Sequence, residues 1–192
     1  MVDDDFAYTG VHAFVFIDSV DPGANIRDVI DALRSFGPPP HGPVYFAAEM
    51  VGGYLGFAHV RTESLAEMQA LIAGELWARG AHSAHNVEAG VAQVGTMKKG
   101  VKRGTPEVIA IVRVRTVPGA LGDVLEAMAD EDGLLRDTFK GASVIFGDFD
   151  ILLQLGADSF EAVASDVYGP LQRIEGIAST DTAFTDARRY ED

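Results

Sequence analysis

The sequence predicts an α+β protein built from two tandem β-α-β-β-α-β units whose antiparallel sheets pack together as a pseudo-dimer. Three observations predict it. An apolar strand entered through a tight glycine turn occurs twice, as Val51-Gly52-Gly53-Tyr54-Leu55-Gly56-Phe57-Ala58-His59-Val60 and as Phe146-Gly147-Asp148-Phe149-Asp150-Ile151-Leu152-Leu153-Gln154-Leu155. The copies stand 95 positions apart, with Gly147 on Gly52, Phe149 on Tyr54 and Leu155 on Val60. The match then extends in both directions: Asp158-Ser159-Phe160 falls on Glu63-Ser64-Leu65, Asp123 to Met128 falls on Asp28 to Leu33, and Pro118-Gly119 faces Pro22-Gly23 after one residue of slip. Finally, each copy alternates short β-branched or aromatic runs with apolar residues spaced by three and four, the periods of strands and of one-sided helices.

In the first copy, Val11 to Ile17 reads as a buried strand and Asp21-Pro22-Gly23 as the turn after it. Ile26, Val29, Ile30, Leu33 and Phe36 form a helical stripe that Gly37-Pro38-Pro39-Pro40 stops, because consecutive prolines lack the amide a helix needs. Val44 to Met50 and Tyr54 to Val60 flank Gly52-Gly53 as a hairpin, paired glycines supplying the positive φ such turns require. Ser64-Leu65-Ala66-Glu67 is a capping box, and Leu65, Met68, Ile72 and Leu76 carry a second stripe to Gly80, with Trp77 and the methionines expected in the core. His82 to Gln93 is the last extended segment of this copy.

The second copy restates the plan. Val108 to Val114 is its first strand, and Leu121, Val124, Leu125 and Met128 its first stripe. Leu134 to Phe146 reads as a long strand bulged at Lys140-Gly141, where a glycine interrupts it. Phe149 to Leu155 is the hairpin partner, Phe160 to Ile174 the second stripe with a kink at Gly169-Pro170, and Ile177 to Phe184 the closing strand. Residues 1–94 and 107–192 are thus the two domains, and 95–106, with three glycines, a proline and four cations, is a solvated linker. The element order is the split βαβ or ferredoxin-like arrangement. Its strands are apolar on both faces, so the sheet face opposite the helices needs a cover, which the other copy can supply.

Composition narrows the function. The chain has 192 residues, 47% hydrophobic and 23% charged, enough for a sizeable core. A formal charge of -14 with only 15 lysines and arginines disfavours direct nucleic-acid binding, since phosphates must be met by cations. No apolar run reaches the roughly 18 residues a membrane helix needs, and Met1-Val2-Asp3-Asp4-Asp5 is unlike a cationic secretion signal; a cytoplasmic protein is expected. Without cysteine there is no disulfide, thiolate nucleophile or cysteine-held metal. No phosphate loop, nucleophile elbow or His-Glu-x-x-His helix occurs either.

Pro118-Gly119 after the first strand, Gly147-Asp148-Phe149-Asp150 at the hairpin, and Ile174-Glu175-Gly176-Ile177 before the last strand make residues 107–186 similar to the ligand-binding domain of the Lrp/AsnC regulators, an ACT-like module also called the RAM domain. Over residues 10–92 the resemblance rests on the internal repeat, for there the turn is Gly52-Gly53-Tyr54-Leu55 and both aspartates are gone. Phe146 stands where the family often has threonine. The resemblance implies a non-enzymatic sensing and assembly module, binding an amino acid or related effector, forming homo-oligomers, needing no cofactor or metal, and carrying no DNA-reading part, since its first strand starts near residue 11.

Gly147, Asp148, Phe149 and Asp150 are therefore the candidate ligand-binding residues. Carboxylates beside exposed backbone amides can hold an ammonium group and a carboxylate together. The competing account makes Asp148 a turn former and pairs Asp150 with Arg113 or Arg115 on a neighbouring strand. His82 and His85 invite a metal reading, but residues three apart on a strand point to opposite faces, and His12, His41 and His59 lie on separate elements, so the histidines are expected to be structural or exposed. A second function class stays open: duplicated ferredoxin-like chains also serve as α/β-barrel monooxygenases and haem-binding proteins. A third is a module that only assembles.

Overall fold

The computed structural model describes residues 11–38, 41–81, 87–91, 93–96, 106–130, 133–145 and 147–186, with backbone alone for 87–91 and 93–96. The chain forms two compact units, residues 1–49 with 54–92 and residues 50–53 with 93–192. Its elements in order are β1 (Val11–Ile17), α1 (Ile26–Ser35), β2 (Val44–Glu49), β3 (Val51–Gly52), β4 (Gly56–Thr62), α2 (Leu65–Leu71), β5 (Val87–Val91), β6 (Gln93–Thr96), β7 (Val108–Thr116), α3 (Leu121–Ala129), β8 (Phe139–Val144), β9 (Ile151–Ala157), α4 (Phe160–Tyr168) and β10 (Ile177–Asp186).

The first unit holds a four-stranded antiparallel sheet ordered β2-β4-β1-β5. Its strands follow the period of two: Ala13, Val15 and Ile17 of β1 join Ala58 and Val60 of β4 in a core with Val29, Ile30 and Leu33 of α1 and Met68 and Leu76 beyond. The alternate residues His12, Phe14, Phe16 and Phe57 are buried too. Helix α1 starts at Asn25, whose side chain accepts the Arg27 amide, and Arg34 Nε ties it to the Ala47 carbonyl of β2 at 2.9 Å. At α2, Ser64 Oγ accepts the Glu67 amide, while the Glu67 carboxylate reaches Glu63 N at 3.0 Å, one residue before the cap the sequence suggested. Past α2 the chain widens into a π-helical turn, Ile72–Leu76, then tightens into a 3₁₀ turn, Trp77–Arg79, closed by Gly80 at φ +91°. That change of pitch corrects one expectation: Leu76 is buried, but Trp77 is 43% exposed and outside the core. Leu65 and its counterpart Phe160, the first residues of their helices, are also exposed rather than part of the stripe.

The second unit holds a six-stranded sheet ordered β3-β10-β7-β9-β8-β6. Ranked within their own repeat, its four central strands run 4-1-3-2, the order of the first unit read from the other edge, which is the ferredoxin-like crossover. Ala110, Val112, Val114, Leu153 and Leu155 pack on Val124, Met128, Val163 and Val167 of α3 and α4. The extended segment placed at Leu134 to Phe146 forms a strand only from Phe139; residues 134–138 are consecutive turns that bury Leu135, with Thr138 N and Phe139 N both donating to its carbonyl. The register does shift between Phe139 and Gly141, at the expected bulge. Pro170 opens the 3₁₀ turn that follows the break in α4.

Both edges of this sheet come from residues assigned to the first repeat or the linker. Val51 and Gly52, read as part of a local hairpin, pair with Phe184 and Ala183 of β10, and Gln93–Thr96 pairs with β8. Residues 97–105 of the linker, Pro39, Pro40 and the His82–His85 pair lie outside the described residues. Among the described residues no helix is long and apolar enough to cross a membrane.

Candidate functional site

The candidate turn links β8 to β9 in the second unit. Gly147 sits at φ +152°, a conformation side chains rarely adopt, and Gly147 and Asp148 are exposed while Phe149 and Asp150 are half-buried. Phe146 lies outside the described residues. Asp150 is committed to the scaffold: its Oδ2 accepts from Thr116 N at 2.7 Å and Thr116 Oγ1 at 3.1 Å, its amide donates to Val114 O, and its carbonyl accepts from Ile145 N. It pairs with neither arginine named from the sequence. Arg113 is instead bonded to Asp181 of β10 through Nε at 3.1 Å and through a terminal nitrogen, with its side chain only 7% exposed. The reason is register: Arg113 lies opposite Asp181, whereas Asp150 falls beyond the last β7–β9 pair and meets the backbone of Thr116.

Phe149 is the centre of the group. The Arg113 guanidinium lies 4.8 Å and that of Arg115 5.2 Å from its ring centroid, both within cation–π range. Arg115 Nε donates to Asp148 O at 2.9 Å, holding the exposed arginine beside the turn. Among the described residues, the terminal nitrogens of Arg115 and the carboxylate of Asp148 have no hydrogen-bond or ion-pair partner. Residues 50–53 lie against the Asp181 side of this group: a Cβ on Gly53 would collide with the Asp181 carboxylate, and Gly53 N donates to Thr182 O at 3.0 Å. The structure thus brings Phe149 and Asp148 together with Arg115, a residue sequence reasoning considered only as a structural partner.

A second polar group lies in the first unit and corrects the picture of scattered histidines. His12 of β1 and His59 of β4 sit on the sheet face opposite the helices, with His12 Nδ1 and His59 Nε2 3.1 Å apart. Tyr45 stacks on His59 at 4.8 Å between centroids and Phe14 lies against it at 4.7 Å. Burial first, then the neighbouring His12, lowers the His59 pKa to about 4; burial and then the Arg61 charge lower that of His12. The contact is then one N–H···N hydrogen bond between two imidazoles, each of which resists protonation. The signal was available, because the first and third strands of this fold are neighbours and both histidines alternate with core residues. Among the described residues, no three His, Asp or Glu side chains converge in a metal-binding group.

No protein-family model matches the chain, and no curated protein does. Solved structures match it along nearly its whole length. An anthrone oxidase-like protein is 10% identical with a TM-score of 0.53, covering 93% of this chain and 94% of its own. A mutant chlorite dismutase from Candidatus Nitrospira defluvii is 10% identical with a TM-score of 0.52, covering 94% of each. At such identities the likeness shows the α+β fold of two ferredoxin-like units and no more.

Proposed function

We propose that the chain is a small-molecule-binding regulatory module of the Lrp/AsnC ligand-binding kind, with its effector site at Asp148, Phe149 and Arg115 and with homo-oligomers as its working state. The observation that carries this reading is a pair of opposite charges with no ionic partner among the described residues, the Asp148 carboxylate and the Arg115 terminal nitrogens, beside one aromatic ring. A zwitterion such as an amino acid answers both charges: its carboxylate takes the guanidinium fork and its ammonium the aspartate, while an apolar side chain lies on Phe149. Gly147 leaves the approach open, for a Cβ built there meets nothing within 4 Å. Asp150 orients the turn through Thr116 instead of touching ligand.

A thermal-shift screen of the amino acids, run with light scattering, tests it. One or a few amino acids should raise the melting temperature, and Asp148→Asn and Arg115→Gln should each cut the affinity at least tenfold, as loss of a charge-assisted contact implies. A full panel without a shift, or a shift unchanged in both variants, removes the turn from the site.

The histidine pair and the likeness to proteins described as an oxidase relative and a chlorite dismutase favour a second reading, a barrel enzyme. The donor set fits haem poorly: His12 and His59 are bonded to each other and His41 is exposed on a loop, so none of these three offers an imidazole aimed into an enclosed apolar pocket. A Soret band in the purified protein would favour the enzyme over the sensor.

A further inference from the structure

The second unit buries an ion pair that packing alone does not require. Arg113 of β7, 7% exposed at its side chain, is bonded to Asp181 of β10, and its guanidinium lies 4.8 Å from the Phe149 ring centroid. The first copy fills the same place differently. Arg113 stands opposite Leu152 as Phe16 stands opposite Phe57, 95 positions before Leu152, and Phe149 corresponds to Tyr54. There Phe16 and Tyr54 meet edge to face at 5.2 Å between centroids, each 1% exposed. The fold thus has an all-aromatic solution at this position, and a buried ion pair is no more stabilising than well-packed apolar side chains of similar volume. The charges of the second copy need another reason.

That reason lies at the two ends of the pair. At one end, Arg113 shares the Phe149 ring with Arg115, whose Nε holds Asp148 O at 2.9 Å. At the other, the Asp181 carboxylate lies against Gly53: Oδ2 accepts from Arg113 Nε at 3.1 Å, and Oδ1 fills the space that a Cβ on residue 53 would need. Gly52 has a backbone reason to be glycine, its φ of +138°, but Gly53 lies outside the left-handed region. The side chain missing at 53 is the room that the carboxylate occupies. Gly53 N donates to Thr182 O at 3.0 Å, one residue along β10 from Asp181. Phe149, Arg113, Asp181 and Gly53 are therefore one unbroken line of contacts, from the effector turn to the segment that carries β3.

We propose that Asp181 and Arg113 are positioning residues that hold the Phe149 ring in one setting, and that they do so only while residues 50–53 are seated on β10. Seated, the segment closes the space on the far side of Asp181, so the carboxylate stays on Arg113 and the guanidinium stays over the ring. With the segment lifted, the carboxylate is free to turn away and the ring loses its hold. Seating of residues 50–53 thereby regulates the effector site, a role that rests on the turn being that site; the positioning of the ring does not.

The test follows the full chain by NMR with labelled phenylalanine. The Phe149 signals are those lost in Phe149→Leu, and their three-bond couplings report the χ1 rotamer. The parent should show one rotamer. Gly53→Ala, whose methyl displaces the Asp181 carboxylate, and Asp181→Asn, which removes the charge at nearly constant shape, should each give averaged couplings. Asp181→Ser should do the same, and adding Gly53→Ala to it should change nothing more, because no carboxylate remains to be displaced. A role in packing alone predicts otherwise: lost stability with Phe149 still in one rotamer. Averaged couplings in the parent, one retained rotamer in a folded Gly53→Ala or Asp181→Asn, or a further effect of Gly53→Ala on top of Asp181→Ser would each overturn the proposal. Should Gly53→Ala fail to fold, Asp181→Asn decides it. The effector reading is separated by the amino-acid thermal-shift panel. A silent panel with the expected couplings keeps the positioning and removes the effector; a shift by an amino acid with Phe149 unmoved in the variants does the opposite.

Discussion

His59 shows how far one side chain can be moved from its solution chemistry by its neighbours. In the unfolded chain it titrates near 6.5; folded, burial and the adjacent His12 lower it to about 4. Between those values the unfolded chain binds the extra proton, so this contribution to stability is complete above about pH 6.5 and is lost as pH falls towards about 4, with a slope of up to about 1.4 kcal/mol per pH unit. Replacing His59 by glutamine, the residue the second copy carries as Gln154, should flatten urea midpoints across that window and leave those near pH 8 little changed in slope. A parent protein whose midpoint is flat from pH 7 to 4.5 would contradict the buried, neutral imidazole. At this scale the sequence was only partly readable. It marked Phe149 and Asp148 by their place in the repeated turn, but whether Asp150 faces an arginine or Thr116 depends on where the β7–β9 ladder stops. Likewise, the His12–His59 contact spans 47 positions and exists only once β1 and β4 are in register.

At the level of elements, strand existence and order followed from periodicity, because each apolar run had one face to bury under its helices. The fate of the Gly52-Gly53 segment did not. Paired glycines fit a tight hairpin, and nothing local says that two of the residues will instead extend another sheet by pairing with β10. Gly52 makes that possible: its φ is +138°, and a Cβ there would stand 2.5 Å from Thr182 O. Gly52→Val should therefore detach β3, costing on the order of 1–3 kcal/mol and exposing the Gly53 amide that now donates to Thr182 O. Hydrogen exchange at Gly53 reads this directly; unchanged protection in the variant would mean that the pairing does not hold the segment. The π-helical turn was equally hidden, since Ile72, Leu76 and the residues between them satisfy an ordinary helical stripe.

For the molecule as a whole, the duplication was legible from the constant offset of 95, yet the copies have parted chemically. The first keeps its polar pair, His12 and His59, on two neighbouring strands; the second has Gln154 where His59 stands and places its charged group at the hairpin end, around Phe149. Their edges differ as well. The central four strands of the second sheet are flanked by β3 and β6, both encoded before residue 97. A fragment of residues 106–192 would thus leave the outer sides of β10 and β8 without partners, and open sheet edges invite pairing with other chains. Light scattering should find that fragment self-associating at concentrations where the full chain has a single, defined size; a monodisperse fragment would show that the flanking strands are dispensable. The genetic seam and the structural seam are therefore different places. Residues 50–53, from the middle of the first copy, belong to the second unit and extend its sheet through Val51 and Gly52, so a break at the glycine-rich join would separate neither unit cleanly.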